Sequence, residues 1–133
     1  LIYIILQILG AIIGATLANL MFEKTLFALS EVDRTGYGQV TGEIVATAGL
    51  VFLIILLINS DRSKKIPTAV AAWIGSAFFF TSSTALANPA VTIGRIFTDS
   101  VVGIAPSSVL PFLFAQVVGG AIGLALATVL KGK

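Results

Sequence analysis

Four long apolar segments most limit how this 133-residue chain can fold. A helix needs about 20 mainly apolar residues to cross a hydrocarbon core of about 30 Å. The segments of suitable length cover residues 1–22, 40–58, 66–85 and 109–130. Charged residues make up only 11% of the chain, where a soluble domain carries about a quarter. We therefore expect an all-α membrane protein whose four transmembrane helices contact the lipid bilayer.

The composition also excludes several functions. The chain has no cysteine and no histidine, so thiol nucleophiles, thiolate metal sites and the commonest general base are all missing. The net charge of +2 is small and scattered, which does not favour nucleic-acid binding. We expect a protein that is not an enzyme and that has no metal site, cofactor or nucleic-acid partner.

The charged loops predict an orientation in the membrane. The loop 60–65 carries three basic residues, and Lys131 and Lys133 lie at the C-terminus. By the positive-inside rule both should face the cytoplasm, which places the loop 23–39 outside. The first apolar segment lacks the basic flank and cleavage site of a signal peptide. We interpret it as a true span of a longer protein, with a natural half-length protein as the alternative.

A short apolar segment, residues 88–97, begins with Asn88-Pro89-Ala90. Asparagine is a favoured N-cap, and proline suits the first helical position. The segment is too short to cross the membrane, so it is typical of a re-entrant half-helix that lines a cavity. The alternative is an ordinary helix cap after a loop. On a half-helix the positive dipole end would point into a pore, where it would oppose cations and protons.

An internal repeat appears when the first and fourth apolar segments are aligned at an offset of 109. The matched pairs are Gln7 with Gln116, Gly10 with Gly119, and Gly14 with Gly123. Small residues four apart let membrane helices approach closely, which explains the glycines but not the glutamines. Two further predicted spans and a half-helix lie between the copies, so the two copies cross the membrane in opposite directions, as in an inverted repeat.

Taken together, these features resemble the major intrinsic protein family, the aquaporins and aquaglyceroporins, from the third to the sixth transmembrane helix. The resemblance covers essentially the whole chain and is nearest to bacterial members. It implies one incomplete aquaporin-like domain over 1–133, an inverted-repeat helical bundle. Residues 1–22 would close the first repeat, and 40–130 would form the second. It also implies a homotetramer, a missing N-terminal half, and the bacterial cytoplasmic membrane.

Glu43 is the only charged residue within the four long apolar segments. An ionisable group in a span usually has a partner and a task. The resemblance implies that this carboxylate anchors the re-entrant loop through donors in the segment 81–87. The alternative is a carboxylate near a helix N-terminus, stabilised by about 0.3–1 kcal/mol.

The resemblance also places the selectivity filter on Ser76, Ala85 and Val91. Water channels carry arginine at the position of Val91 and histidine at that of Ser76. Small, apolar residues there predict a wider filter, suited to glycerol-like polyols or neutral metalloid acids. Under a different alignment, Phe78 or Phe79 closes the site instead.

Arg95 lies one helical turn after Val91, and its side chain could reach back to the filter from the pore mouth. The competing interpretation is an ion pair with Asp99, four residues later.

The leading hypothesis is a passive channel for water or small neutral solutes, in which the Asn88 half-helix forms part of the pore and blocks ions. The alternatives are a secondary transporter of the inverted-repeat type and a non-conducting truncated half-channel. Proton coupling has only Glu43 to work with, which disfavours a transporter. We expect conduction only when this half is joined to, or assembled with, the other.

Overall fold

The computed structural model describes residues 1–131, an all-helical chain. Lys133, one of the residues expected at the cytoplasmic face, lies outside the described residues. The five α-helices are α1 (Ile2–Met21), α2 (Tyr37–Asn59), α3 (Ile66–Phe80), α4 (Pro89–Gly94) and α5 (Pro106–Lys131). Single 3₁₀ turns cover Ser63–Lys65 and Arg95–Phe97.

Three of these helices, α1, α2 and α5, are long and apolar enough to cross a membrane. They contain 20, 23 and 26 residues, and they match the predicted spans 1–22, 40–58 and 109–130 to within three residues at each end. Much of their apolar surface is exposed, as a lipid-facing helix requires. These three spans are confirmed, and they support an integral membrane protein.

The fourth predicted span, 66–85, is wrong as a continuous helix. α3 ends at Phe80 after 15 residues, about 22 Å at 1.5 Å per residue, which is short of the hydrocarbon thickness. Thr81 is extended, and the backbones of Thr84 and Ala85 lie in the left-handed region with φ of 61° and 50°. Such residues cannot continue an α-helix. The end of the segment is a buried irregular loop instead.

Helices α2 and α5 form the most extensive helix pair. Two glycines of α5 make this possible, since a Cβ on Gly123 would meet the Ala48 carbonyl and come within 3.0 Å of the Phe52 nitrogen. A Cβ on Gly119 would lie 3.0 Å from Thr47 Cβ. Small residues thus bring the two backbones together.

The repeat-related residues of α1 lack such contacts within the described chain. A Cβ on Gly10 or Gly14 would have nothing within 4 Å among residues 1–131, and Gln7 is exposed. α1 instead packs its Ala11 backbone against Gly94 of α4. The packing expected of Gln7, Gly10 and Gly14 therefore stays a prediction.

Candidate functional site

The site begins at the N-terminus of the half-helix α4. Asn88 is extended, with φ −154° and ψ 123°, and its Oδ1 accepts hydrogen bonds from Ala90 N at 2.8 Å and Val91 N at 3.4 Å. Pro89 takes the first helical position, where its missing N–H costs nothing. Because Oδ1 serves the cap, the Asn88 amide nitrogen is the part of the side chain left to donate into the adjacent cavity.

The loop before Asn88 has an unusual backbone. Thr84, Ala85 and Ala87 all have positive φ although none is glycine. Each such residue costs of order 1–3 kcal/mol and persists only where its surroundings hold it. Within residues 1–131, no donor binds the backbone carbonyls of Thr84 to Ala87, and these residues line the same cavity as Asn88. These carbonyls therefore keep their capacity to accept hydrogen bonds from groups outside the described residues.

Glu43 holds this loop from behind. Its side chain is fully buried on α2, Oε2 accepts from Leu86 N at 3.2 Å, and Oε1 accepts from Ala87 N. Gln116 Nε2 of α5 donates to Oε1 at 2.7 Å. A buried carboxylate with three donors is well satisfied, and it fixes the two amides nearest the bend. The donors to Glu43 from the loop fall within the expected segment 81–87.

Gln116 extends this network to the half-helix. Its Nε2 also donates to Thr92 Oγ1 at 2.8 Å, and Thr92 Oγ1 donates to the Asn88 carbonyl at 3.0 Å. Thr92 was missed in the sequence, although a hydroxyl four residues after the cap on a buried face is a usable signal. The network joins α2, α4, α5 and the loop into one unit.

A cavity of about 300 Å³ lies beside the half-helix. Its lining is mostly apolar and comes from α2, α3, the loop, α4 and the segment between α4 and α5: Leu50, Val70, Ile74, Phe78, Thr84, Ala85, Leu86, Ala87, Asn88, Val91, Arg95 and Val102. Ala85 and Val91 of the predicted filter are thus brought together. Both lie beside the Asn88 cap, on the side where the half-helix dipole is positive.

Ser76, the third predicted filter residue, does not line this cavity. α3 presents Val70, Ile74 and Phe78 to it, a spacing of four residues along one helical face, and Ser76 is exposed on another face. Phe78, one of the two residues named in the alternative alignment, lines the cavity, whereas Phe79 is 86% exposed. The cavity therefore has an aromatic wall where a small residue was expected.

Arg95 follows α4 and lines three adjoining cavities of about 300, 210 and 380 Å³. The ion pair considered with Asp99 is not formed, since Asp99 Oδ1 instead accepts from Glu31 N at 3.2 Å. Within residues 1–131, the Arg95 guanidinium has no hydrogen-bond acceptor or carboxylate partner. It is a cation on the cavity wall, one turn beyond Val91.

Arg34 is a functional candidate that the sequence analysis missed. It belongs to the loop 22–36 between α1 and α2, yet only 2% of it is exposed. Its guanidinium donates to the carbonyls of Gly103 at 2.6 Å, Val101 at 2.7 Å and Ser83 at 3.2 Å. Burial lowers the pKa of Arg34, and the charge of Glu43 acts in the opposite direction. Loop charges at the sequence level indicated only orientation.

The neighbouring Asp33 ties the same loop to the start of α5. Its Oδ1 accepts from Ser108 Oγ at 2.9 Å and from Thr35 N at 3.0 Å. These hydrogen bonds, that from Ser108 first, lower the pKa of this exposed carboxyl. Arg34 N in turn donates to Ser108 Oγ at 2.9 Å, so Asp33 and Arg34 share one anchor.

The fold and site together indicate a class: a membrane-spanning helical bundle with an asparagine-capped half-helix beside a cavity. Comparison with known proteins gives the same class, since the chain is similar to an aquaglyceroporin. It is 41% identical over 124 residues to Aquaglyceroporin AqpS of Rhizobium meliloti (strain 1021), an alignment that covers 93% of this chain and 53% of that protein. The chain spans about half the length of the curated relative it matches. The similarity is to a channel protein and not to an enzyme.

No family model matches the chain, and no solved structure matches it significantly.

Proposed function

We propose that the chain forms one side of a passive transmembrane channel for small neutral solutes. The observation that carries this proposal is the cavity beside α4, which is lined by the loop residues Thr84 to Ala87 and Asn88 and by Val70, Ile74 and Phe78 of α3. Backbone carbonyls and the Asn88 amide can replace the hydrogen bonds that a solute loses when it leaves water. The apolar side chains of α3 can contact the carbon atoms of the solute. Such a surface suits a neutral hydroxylated molecule better than an ion.

The proposed class of solute follows from the side chains of the two predicted filter residues that line the cavity. Ala85 and Val91 are small and donate nothing from their side chains, so they impose little of the hydrogen-bond geometry that strict water selection needs. Glycerol-like polyols and neutral metalloid acids therefore fit better than water alone. The relative's name, an aquaglyceroporin, supports the same class of solute. Phe78 narrows the opening and sets an upper limit on solute size.

The partners proposed are the lipid bilayer, a complementary half of the channel, and three further copies in a homotetramer. Several large side chains of α1, among them Ile5, Leu9 and Ile13, are about half exposed or more. An apolar face of that extent needs lipid or protein against it. We place the basic loop 60–65 and Lys131 at the cytoplasmic face, and the loop 22–36 outside.

Osmotic swelling tests the function directly. The chain reconstituted with its proposed complementary half in proteoliposomes should raise the flux of glycerol well above that of empty vesicles, with larger polyols excluded. Water, glycerol and a six-carbon polyol are compared by light scattering after an osmotic step. Flux that requires a proton or sodium gradient would instead identify a transporter, and flux equal to empty vesicles a non-conducting scaffold.

Replacing Arg95 with alanine should raise cation leak about tenfold while glycerol flux changes less than twofold. The reason is that Arg95 has no carboxylate partner within residues 1–131, and its charge on the cavity wall repels a cation by about 1 kcal/mol or more at close range. Conductance in planar bilayers and swelling of the same preparation give the two values. Arg62→Ala is the matched control, because it removes an exposed arginine from the loop 60–65, which does not line this cavity. Unchanged leak in Arg95→Ala would contradict a pore role for this residue.

A further inference from the structure

We propose that Arg34 is a positioning residue that sets the solute selectivity of the channel. It does so by fixing the backbone on both sides of the half-helix, at the outer end of the cavity. The inference rests on the proposed function, because selectivity requires a conducting pore, and it adds a residue outside the half-helix and its loop.

The geometry of Arg34 favours positioning rather than simple loop attachment. Its three hydrogen bonds reach two separate segments, one leading into α4 and one leaving it: Ser83 on the first, Val101 and Gly103 on the second. Only a planar guanidinium can donate in several fixed directions at once, and lysine cannot reproduce this arrangement. The burial of Arg34 keeps water from competing for these carbonyls.

Each of the two segments leads directly to the cavity wall. Arg34 donates to the Ser83 carbonyl, and Ser83 Oγ accepts a hydrogen bond from Ala85 N at 3.1 Å. Ala85 is one of the predicted filter residues that line the cavity. On the other side, Val102 lies between the two carbonyls held by Arg34 and lines the same cavity. One guanidinium therefore determines the separation of Ala85 and Val102.

The second segment is also closely packed, which makes the position of its backbone well defined. A Cβ on Gly103 would meet the Thr98 carbonyl and the Ser30 hydroxyl. Ala105 N donates to Val32 O at 2.8 Å, and Ser30 N donates to Ile96 O at 2.8 Å. A shift of Arg34 therefore moves the segment and the loop 22–36 together.

The test compares Arg34→Lys with Asp33→Asn in the chain reconstituted with its proposed complementary half. Asp33 anchors the same loop through Ser108 but contacts neither Ser83 nor Val101, so it is the matched control. We expect Arg34→Lys to raise the flux ratio of a six-carbon polyol to glycerol about three- to tenfold, the range for one lost hydrogen bond. Asp33→Asn should leave the ratio unchanged.

Ser83→Ala keeps the inference testable if Arg34→Lys does not fold. It removes the hydrogen bond to Ala85 N while leaving Arg34 intact, and it should raise the same ratio. An unchanged ratio in a folded Arg34→Lys protein, or in Ser83→Ala, would overturn the inference. Absence of glycerol flux in the native protein would overturn the proposed function instead.

Discussion

Replacing Glu43 with alanine should abolish glycerol flux and lower the free energy of unfolding by on the order of 2–6 kcal/mol. The two amides of Leu86 and Ala87 would be left buried without an acceptor, at about 1–3 kcal/mol each. The loop they belong to has an unfavourable backbone, which is held in place by these hydrogen bonds. Thermal unfolding in detergent and swelling of proteoliposomes measure the two effects.

Two further variants make this prediction specific. Glu31→Ala removes an exposed carboxylate from the loop 22–36 and should change neither value. Glu43→Gln keeps the size but replaces one acceptor oxygen by a donor, so it should fall between the native protein and Glu43→Ala. If Glu43→Ala conducts and unfolds like the native protein, the loop does not depend on this carboxylate.

Replacing Gly123 with valine should prevent the close approach of α2 and α5 and lower the melting temperature by roughly 5 °C or more. A Cβ at this position meets backbone atoms of Ala48 and Phe52, which cannot move aside as a flexible side chain can. Because α2 carries Glu43 and α5 carries Gln116, their hydrogen bond should also be lost and flux should fall.

Gly75→Val is the matched control for this substitution. It also lies in a helix, α3, but among residues 1–131 nothing lies within 4 Å of a Cβ at that site. It should therefore melt close to the native protein, apart from a small propensity difference. Equal destabilisation by Gly75→Val and Gly123→Val would show that the α2–α5 contact is not the cause.

Several parts of this molecule are determined locally by the sequence. The spans of α1, α2 and α5 follow from the length of uninterrupted apolar residues, and the cap of α4 follows from Asn88 and Pro89. An isolated charge within a span predicts that Glu43 has some partner, and the family resemblance assigned that partner to the segment 81–87. The spans and the cap each depend only on residues within one continuous segment of the chain.

Other parts depend on contacts between distant residues. The rotation of α3 is set by Trp73, whose Nε1 donates to Ala46 O at 2.9 Å and whose ring lies where a Cβ on Gly49 would be. That contact turns Phe78, and not Ser76, toward the cavity. The burial of Arg34 likewise comes with tertiary hydrogen bonds, such as the one to the Gly103 carbonyl. The spacing of residues along one helix does not predict how that helix is rotated or which loop residue it buries.

The left-handed residues of the loop have a consequence for the proposed channel. If Thr84, Ala85 and Ala87 were glycine, the loop could adopt this backbone conformation and many others. Its shape could then adapt to each solute. Threonine and alanine hold the shape only while the surrounding bundle enforces it. In the proposed channel we therefore expect the loop to keep one shape whichever solute it meets, so that its fixed geometry sets which solutes pass.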